Sequence, residues 1–117
     1  MVSIITVNYN GLIDTCEMID SFRKYEIYPY EIIVVDNGSR NSEADKIKLY
    51  YPQVKVIQNT NTGFAGGNNA GVKIAKGDYL FFLNNDTVIK GPILETLIHR
   101  LEADSKNGGV SPMLKYN

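Results

Sequence analysis

Short apolar runs alternate along the chain with longer segments in which apolar residues recur every three or four positions. The short β-branched and aromatic runs predict strands, and the longer spacing predicts helices. The predicted strands are Val2–Val7, Glu31–Asp36, Val54–Ile57, Asp78–Leu83 and Val110–Leu114. The predicted helices run from about Leu12 to Tyr25, from about Ser42 to Tyr51, from a start near Ala65 to Gly67 as far as Lys76, and from Gly91-Pro92 to Gly108-Gly109.

Two of the predicted strands, Glu31–Asp36 and Asp78–Leu83, are apolar at consecutive positions instead of alternating with polar residues. Strands of this kind are buried on both faces, which is typical of parallel sheets covered by crossover helices. Regular alternation of strand and helix indicates βαβ units with right-handed crossovers. The sequence therefore predicts an α/β fold in which a mostly parallel sheet lies between two layers of helices.

The composition narrows the class of protein. The 117 residues amount to one domain or part of a larger one, and 44% hydrophobic with 21% charged residues is ordinary globular composition. A net charge of -1 gives no reason to expect nucleic acid or an anionic membrane as a partner. Cys16 is the only cysteine, which excludes an internal disulfide and a cysteine-rich zinc site and fits a reducing compartment. No apolar run approaches the roughly 20 residues of a membrane span.

The triplet Asn84-Asn85-Asp86 directly follows the most apolar run, Tyr79–Leu83. A carboxylate in this position lies at the carboxyl edge of the sheet, where open α/β sheets bind ligands. Asp86 therefore suits a Mg²⁺ or Mn²⁺ ion, because hard cations take carboxylate oxygens and share phosphate oxygens with nucleotides. The alternative is a turn or a helix cap with no ligand, and the triplet by itself leaves both open.

Asp36 ends the second strand and is followed by Asn37-Gly38-Ser39. An acid at this place accepts hydrogen bonds from a ribose in dinucleotide-binding folds. The same residues also favour a simple turn, since Asp and Asn side chains bond their own backbone. Taken alone, the sequence favours the turn.

The segment from Asn59 to Gly71 is rich in glycine and asparagine, with four glycines between positions 63 and 71. Glycines let backbone N–H groups approach a phosphate closely, and the N-terminus of a helix favours anions. A flexible loop entering a tightly packed helix is the alternative. Each glycine in a helix costs about 1 kcal/mol relative to alanine, so four of them suggest a reason beyond connection.

Four motifs in register along the chain resemble the N-terminal half of family 2 glycosyltransferases, with the rhamnosyltransferase-like members the most similar in character. The resemblance covers nearly all of the 117 residues. Its motifs are Val2-Ser3-Ile4-Ile5-Thr6-Val7-Asn8-Tyr9-Asn10-Gly11, Glu31-Ile32-Ile33-Val34-Val35-Asp36-Asn37-Gly38-Ser39, Asn61-Thr62-Gly63-Phe64-Ala65-Gly66-Gly67-Asn68-Asn69 and Leu83-Asn84-Asn85-Asp86-Thr87.

The resemblance implies a GT-A fold, a three-layer nucleotide-diphospho-sugar transferase fold, over residues 1–117. It also implies a nucleotide-diphosphate-sugar donor, with Asp86 holding a Mg²⁺ or Mn²⁺ ion that bridges the diphosphate. The other donor-binding residues that it implies are Val7, Asn8, Tyr9, Asp36, Asn37, Gly67, Asn68, Asn84 and Asn85.

Two departures from the family pattern matter. The first acid of its Asp-x-Asp motif is Asn84 here and the middle position is Asn85, which leaves one charge for the cation. A GT-A domain is roughly twice as long as this chain, a size still usual for one domain. The resemblance thus implies a truncated domain, with the acceptor site and the catalytic base beyond Asn117 and no catalytic residue within the chain.

The leading hypothesis is the donor-binding half of an inverting glycosyltransferase that transfers a sugar to a saccharide or cell-envelope acceptor. It implies a cytoplasmic location, peripheral at the inner face of the membrane. The alternative is a non-catalytic nucleotide-sugar-binding or oligomerisation module that associates through the surface left bare by truncation. A dinucleotide-dependent oxidoreductase is disfavoured, because the turn from Asn8 to Gly11 carries one glycine where that fingerprint needs three.

Overall fold

The computed structural model of the protein describes residues 1–59, 63–106 and 113–116, and strands and helices alternate throughout them. The strands are β1 (Val2–Asn8), β2 (Tyr30–Asp36), β3 (Lys55–Gln58), β4 (Tyr79–Asn84) and β5 (Met113–Tyr116). The helices are α1 (Leu12–Tyr25), α2 (Glu43–Tyr50), α3 (Gly63–Ile74) and α4 (Leu94–Lys106). Each predicted helix, and each of the first four predicted strands, is therefore present within a few residues of its expected bounds.

The five strands form one sheet in the order β3-β2-β1-β4-β5, and every neighbouring pair is parallel. The chain therefore builds outward from β1 to β3 and then crosses back over to place β4 on the other side of β1. This reversal makes the gap between the carboxyl ends of β1 and β4 the topological switch point of the sheet. The predicted α/β fold with a parallel sheet is confirmed.

Apolar side chains from successive strand positions point to opposite faces and fill two separate cores. The larger core lies under α1, α2 and α4, and the smaller one lies under α3. Strand residues of the larger core include Val2, Ile4, Ile32, Val34, Phe81 and Leu83. Those of the smaller core are Ile5, Val7, Ile33, Val35 and Phe82. Burial on both faces explains the continuous apolar runs in the sequence.

Several element ends differ from the expected ones, and tertiary hydrogen bonds explain two of them. Helix α3 ends at Ile74 instead of Lys76, because the Lys76 N–H donates to Glu31 Oε2 at 2.7 Å. Helix α4 begins at Leu94, so the predicted start at Gly91-Pro92 is wrong. There the Glu26 carboxylate accepts the backbone N–H groups of Ile93 and Leu94 at 3.0 and 3.1 Å.

Two further differences concern α3 and the last strand. Helix α3 begins at Gly63, ahead of the expected start near Ala65 to Gly67. The last strand spans Met113–Tyr116 instead of Val110–Leu114. Residues 110–112 and the expected Gly108-Gly109 closure of α4 lie outside the described residues.

The amino edge of the sheet is held by one carboxylate, Glu31. Its Oε1 pairs with Lys55 Nζ at 2.7 Å, and its Oε2 accepts the Ser3 hydroxyl at 2.5 Å as well as the Lys76 N–H. Burial alone would raise the pKa of Glu31, but these hydrogen bonds and the Lys55 charge outweigh it and lower the pKa below its ordinary value. Glu31 therefore joins β1, β3 and the connection that follows α3.

A lowered pKa in the folded state means that the Glu31 charge stabilises the fold at neutral pH and that this stabilisation is lost in acid. We expect Glu31→Gln to reduce the free energy of unfolding at pH 7 by about 1–3 kcal/mol, the range for hydrogen bonds to charged groups. The difference from the wild type should shrink as the pH falls from the ordinary value of 4.5 through the lowered one. Urea unfolding at a series of pH values measures it.

The matched control for this experiment is Glu17→Gln, which changes an exposed carboxylate on α1. Surface substitutions of this kind usually alter stability by less than about 0.5 kcal/mol. A Glu31→Gln deficit that stays constant between pH 7 and pH 3 would show that the charge of Glu31 contributes nothing.

Candidate functional site

The carboxyl ends of the three central strands lie side by side. Asn8 on β1 is in register with Asp36 on β2, and Val7 on β1 is in register with Asn84 on β4. Residues that are far apart in the sequence therefore meet at one edge of the sheet. This edge includes the switch point between β1 and β4, where doubly wound sheets bind ligands.

The side chain of Asn8 is fully buried and joins several of these elements. Its Nδ2 donates to Asp36 Oδ1 and to Glu43 Oε1, both at 2.9 Å, and lies 3.2 Å from Ser39 Oγ. Its Oδ1 accepts the Thr15 hydroxyl at 2.7 Å. One buried amide thus links the end of β1 to α1, β2 and α2, and its hydrogen-bonding capacity is used inside the protein.

The Asp36 carboxylate is 5% exposed and has its two oxygens in different surroundings. Oδ1 accepts a hydrogen bond from Asn8, and Oδ2 accepts a longer one from the Ser39 N–H, at 3.3 Å. The bond to Ser39 is the local turn that the sequence favoured. Because a carboxylate oxygen accepts more than one hydrogen bond, Oδ2 keeps capacity for a further donor.

The two loops beside Asp36 are fastened to each other. The Asn10 N–H donates to Ser39 Oγ at 2.8 Å, and the Arg40 N–H donates to Asn10 Oδ1 at 2.8 Å. Asn10 has a φ of 52°, in the left-handed region that asparagine tolerates better than most residues. The β1–α1 and β2–α2 loops therefore form one preorganised wall of the edge.

Asn85 ties the end of β4 to the start of α1. Its Nδ2 donates to Thr15 Oγ1 at 3.1 Å and lies 3.4 Å from the Gly11 carbonyl oxygen. A Cβ on Gly11 would come within 2.5 Å of that nitrogen, so a side chain at position 11 would displace the Asn85 amide. Thr15 therefore receives a bond from Asn85 and gives one to Asn8, which couples the two strand ends at the switch point.

The rest of the triplet faces outward. The Thr87 N–H donates to the Asn84 carbonyl at 3.1 Å, which closes a turn over residues 84–87. The side chains of Asn84 and Asp86 are exposed. The triplet therefore forms a turn, as one of the two interpretations expected, and the Asp86 carboxylate stays accessible for a ligand.

The glycines of α3 have a packing role. A Cβ on Gly67 would lie 2.8 Å from Val7 Cγ2, and one on Gly71 would lie 2.5 Å from Ile5 Cγ2. These glycines, one helical turn apart, let α3 lie directly against β1. The tight-packing alternative therefore accounts for two of the four glycines in this segment, and Asn68 between them is half-buried.

The expected donor-binding residues differ in what they offer to a ligand. Val7 is 7% exposed against α3, Asn8 is fully buried, and Asn37 is 3% exposed. Any contact that these three make with a ligand would come chiefly from their backbone. Tyr9, half exposed, presents its ring at the same edge.

Three residues of this network escaped the sequence analysis as site residues, namely Thr15, Ser39 and Glu43. Thr15 is spaced three residues from Leu12 and four from Ile19, so the sequence already places its hydroxyl on the buried face of α1. A polar side chain on that face is a signal that could have identified it. Ser39 was visible only as part of a turn motif. Glu43 gave no signal, because its bond to Asn8 depends on how α2 packs against β1.

Within the described residues there is no cluster of three or more His, Cys, Asp or Glu side chains that could hold a metal ion. Asn8 binds one oxygen each of Asp36 and Glu43, and Asp36 ends β2, which β1 separates from β4. Asp86 is therefore the exposed carboxylate at the β4 side of the expected site. Mg²⁺ is commonly held by one or two carboxylates together with substrate phosphates and water. Asp86 fits an ion that receives most of its ligands from a bound diphosphate.

A family model described as "Glycosyl transferase family 2" matches residues 3–116. The chain belongs to this family. It is 29% identical over 104 residues to the uncharacterized glycosyltransferase YwdF of Bacillus subtilis, which covers 86% of this chain and 38% of YwdF. It is 37% identical over 95 residues to the poly(ribitol-phosphate) beta-glucosyltransferase of Bacillus spizizenii, which covers 75% of this chain and 15% of that protein. The chain thus spans little more than a third, or less, of these relatives.

Solved structures agree with the family assignment. The crystal structure of S. aureus TarS residues 1–349 in complex with UDP-GlcNAc matches with a TM-score of 0.69 and 25% identity, over 90% of this chain and 31% of that one. The mannosyltransferase PcManGT from Pyrobaculum calidifontis, in complex with GDP-Man and Mn²⁺, matches in fold with a TM-score of 0.67 and 23% identity, over 82% of this chain and 30% of that one. The fold of this family 2 chain is therefore part of a GT-A fold, as expected.

The amide of Asn8 can be tested by an isosteric change. We expect Asn8→Asp to lower the free energy of unfolding by about 3 kcal/mol or more, because a buried carboxylate would replace a donor between Asp36 and Glu43. Urea unfolding at pH 7 measures the loss. The same chemical change at the exposed Asn69 is the control and should shift stability by less than about 0.5 kcal/mol. Equal unfolding midpoints for the two variants would contradict the role of Asn8.

Proposed function

We propose that the protein supplies the donor-binding part of an inverting glycosyltransferase, which moves a sugar from a nucleotide-diphosphate-sugar donor to a saccharide or cell-envelope acceptor. Family membership and the GT-A fold support this proposal. Named relatives with glycosyltransferase activity, including the poly(ribitol-phosphate) beta-glucosyltransferase, support the class of acceptor.

The observation that carries the proposal is the meeting of Asp36 and the Asn84–Asp86 turn at the carboxyl edge of the sheet. The strand register brings these residues together, and the edge includes the switch point. We assign the base and ribose to the side formed by Tyr9, Asp36 and the backbone of Val7, Asn8 and Asn37. The spare acceptor capacity of Asp36 Oδ2 suits an N–H or hydroxyl donor of the nucleoside.

The diphosphate and sugar belong, on this proposal, to the side of Asn84, Asn85 and Asp86, with Gly67 and Asn68 along the donor. Asp86 would hold a Mg²⁺ or Mn²⁺ ion against the diphosphate. Such an ion supplies charge stabilisation of the departing nucleoside diphosphate. The neutral Asn84 contributes polar contacts only, and the Asn85 amide keeps the turn in place.

The reaction proposed for the whole enzyme is a direct displacement at the anomeric carbon. The acceptor oxygen forms a bond to this carbon while the bond from carbon to the diphosphate oxygen breaks, and the nucleoside diphosphate leaves with the electron pair. A general base takes the proton of the acceptor hydroxyl. We place this base, with the acceptor site, in sequence beyond Asn117, so the chain by itself should bind donor and transfer little or no sugar.

We further propose that the protein works in the cytoplasm, at the inner face of the membrane. Its lone thiol is compatible with a reducing compartment. No described helix combines the length and apolarity needed to cross a bilayer.

Calorimetric titration with UDP, dTDP and GDP, each with and without Mn²⁺, tests the donor site. We expect at least one diphosphate to bind weakly and only with Mn²⁺, and Mn²⁺ alone to bind far more weakly, because Asp86 offers a single carboxylate. Asp86→Asn should weaken the metal-dependent binding at least tenfold. Asp45→Asn, which removes an exposed carboxylate on α2, should leave it unchanged.

Two outcomes of the titration would contradict the proposal. Failure of all three diphosphates to bind would remove the donor site. Equal affinities of the Asp86→Asn variant and the wild type would remove the metal-binding role of Asp86 and leave the nucleoside assignment standing.

A second candidate is a non-catalytic module that binds a nucleotide sugar or associates with itself. Large apolar side chains support it, since Ile13, Ile27 and Leu49 are each about three-quarters exposed, at 74%, 79% and 76%. Apolar side chains of this kind favour association where they form a contiguous patch. Sedimentation velocity should then show a dimer or larger species at micromolar concentration, and a monomer over the whole accessible range would exclude the self-associating form.

A further inference from the structure

A cavity of about 300 Å³ lies at the amino edge of the sheet, between the later turns of α1, the end of α2 and the start of β2. Tyr30 contributes to it, whereas Asp36 stands at the other end of the same strand. A strand rises about 3.3 Å per residue, so the two edges are roughly 20 Å apart along β2. The cavity is therefore separate from the donor site.

One charged side chain in the described lining of this cavity makes no ion pair with a described residue. The Arg23 guanidinium lies 5.6 Å from the centre of the Tyr51 ring and makes no ion pair with any described carboxylate. The acid in the lining, Glu31, is already paired with Lys55 at 2.7 Å. The charge available to a ligand is positive, which favours an anion.

The aromatic walls are fixed by contacts outside the cavity. The Tyr51 hydroxyl donates to Asp20 Oδ1 at 2.8 Å, and the residue as a whole is 7% exposed. Tyr30 meets Phe22 edge to face with ring centres 5.8 Å apart. Burial and the nearby Glu26 raise the pKa of Tyr30, so its hydroxyl stays neutral at physiological pH. Pro52 and Val54 complete an apolar side.

We propose that this cavity is a second binding site, which takes a small organic anion with an aromatic or similarly flat apolar body. The volume is at the lower end of the range for ligand pockets, about 300–1,000 Å³. A guanidinium binds carboxylate, phosphate or sulfonate groups through paired N–H donors, and the tyrosine rings pack against a flat body. The site has both parts in one preformed place.

Naphthalene-1-sulfonate is a suitable probe, with 1-naphthalenemethanol as its neutral counterpart and inorganic sulfate as the anion without an apolar body. Titration of the ¹⁵N-labelled full chain should move the amide signals of Tyr30, Gln53 and Val54 saturably with the first probe. The other two should bind at least tenfold more weakly. No saturable binding, or equal affinity for the neutral counterpart, would overturn the proposal.

Variants of Arg23 separate this site from unspecific adsorption. Arg23→Gln should raise the Kd of naphthalene-1-sulfonate about tenfold or more, and Arg23→Lys should give an intermediate value because it keeps the charge and loses the planar fork. Arg100→Gln, which removes an exposed charge on α4, is the control and should leave the Kd unchanged. Equal Kd values for the Arg23→Gln and Arg100→Gln variants would overturn the proposal.

Competition distinguishes the two edges of the sheet. Saturation with UDP and Mn²⁺ should leave the Kd of the probe unchanged. Displacement of the probe by UDP, or signal changes centred on Asn8 and Asp36, would locate the probe in the donor site and overturn the proposal. Because the probe needs no nucleotide, its binding can succeed where the donor titration fails.

Discussion

The buried amide of Asn8 is the contact on which the carboxyl edge of the sheet depends. It gives hydrogen bonds to Asp36 and Glu43 and receives one from Thr15, so β1, β2, α1 and α2 meet at one side chain. A buried polar group is costly unless it is paired, and here every partner comes from a different element. The geometry at this edge is therefore fixed by packing of the whole fold, and no single loop determines it. The exposed residues of the edge, Tyr9 and Asp86, are supported by this rigid base.

The same sheet is secured at its other edge by a different kind of contact. The charge of Glu31 there is compensated by three partners. These are the Lys55 ammonium, the Ser3 hydroxyl and the Lys76 N–H. At the carboxyl edge Asp36 and Glu43 share an uncharged amide, and no described lysine or arginine pairs with either. Because the Asn8 amide carries no charge, it does not neutralise Asp36 or Glu43, and both carboxylates can still accept hydrogen bonds. This difference favours the carboxyl edge for a ligand rich in N–H and O–H donors, and leaves the amino edge with the spare cation of Arg23.

The fold was predictable from the sequence because its signals are local. Continuous apolar runs such as Tyr79–Leu83 identify strands that are buried on two faces, and the spacing of Leu12, Cys16 and Ile19 identifies α1. Helix ends were less predictable where the deciding partner is distant in sequence. At the end of α3, the Lys76 N–H bonds Glu31, 45 residues away in the sequence. At the start of α4, the Leu94 N–H bonds Glu26, 68 residues away.

The site was predictable in part, for the same physical reason. The four motifs identified which strand ends carry polar residues, and parallel pairing guarantees that such ends share one edge. Which side chains remain available to a ligand depends on the hydrogen bonds that they make inside the folded protein. The amides of Asn8 and Asn85 are used in such bonds, whereas Tyr9 and Asp86 are exposed. The Asn85 amide is turned toward Thr15, and the Asn8 amide is fully enclosed.

The hydrogen bonds at the carboxyl edge also affect how a cation would be held. With asparagines at the first two positions of the Asn84–Asp86 triplet, and with β1 between Asp36 and β4, the triplet offers one carboxylate where the ion is expected. A single carboxylate in water binds Mg²⁺ or Mn²⁺ weakly, since these ions require several oxygen ligands. A diphosphate adds the missing oxygens and two negative charges at the same place. Metal and nucleotide would then bind as a unit, each raising the affinity for the other by the same factor, as linkage requires. On the proposed function, selectivity for a diphosphate over a lone metal ion would follow from the asparagines at the first two positions of the triplet.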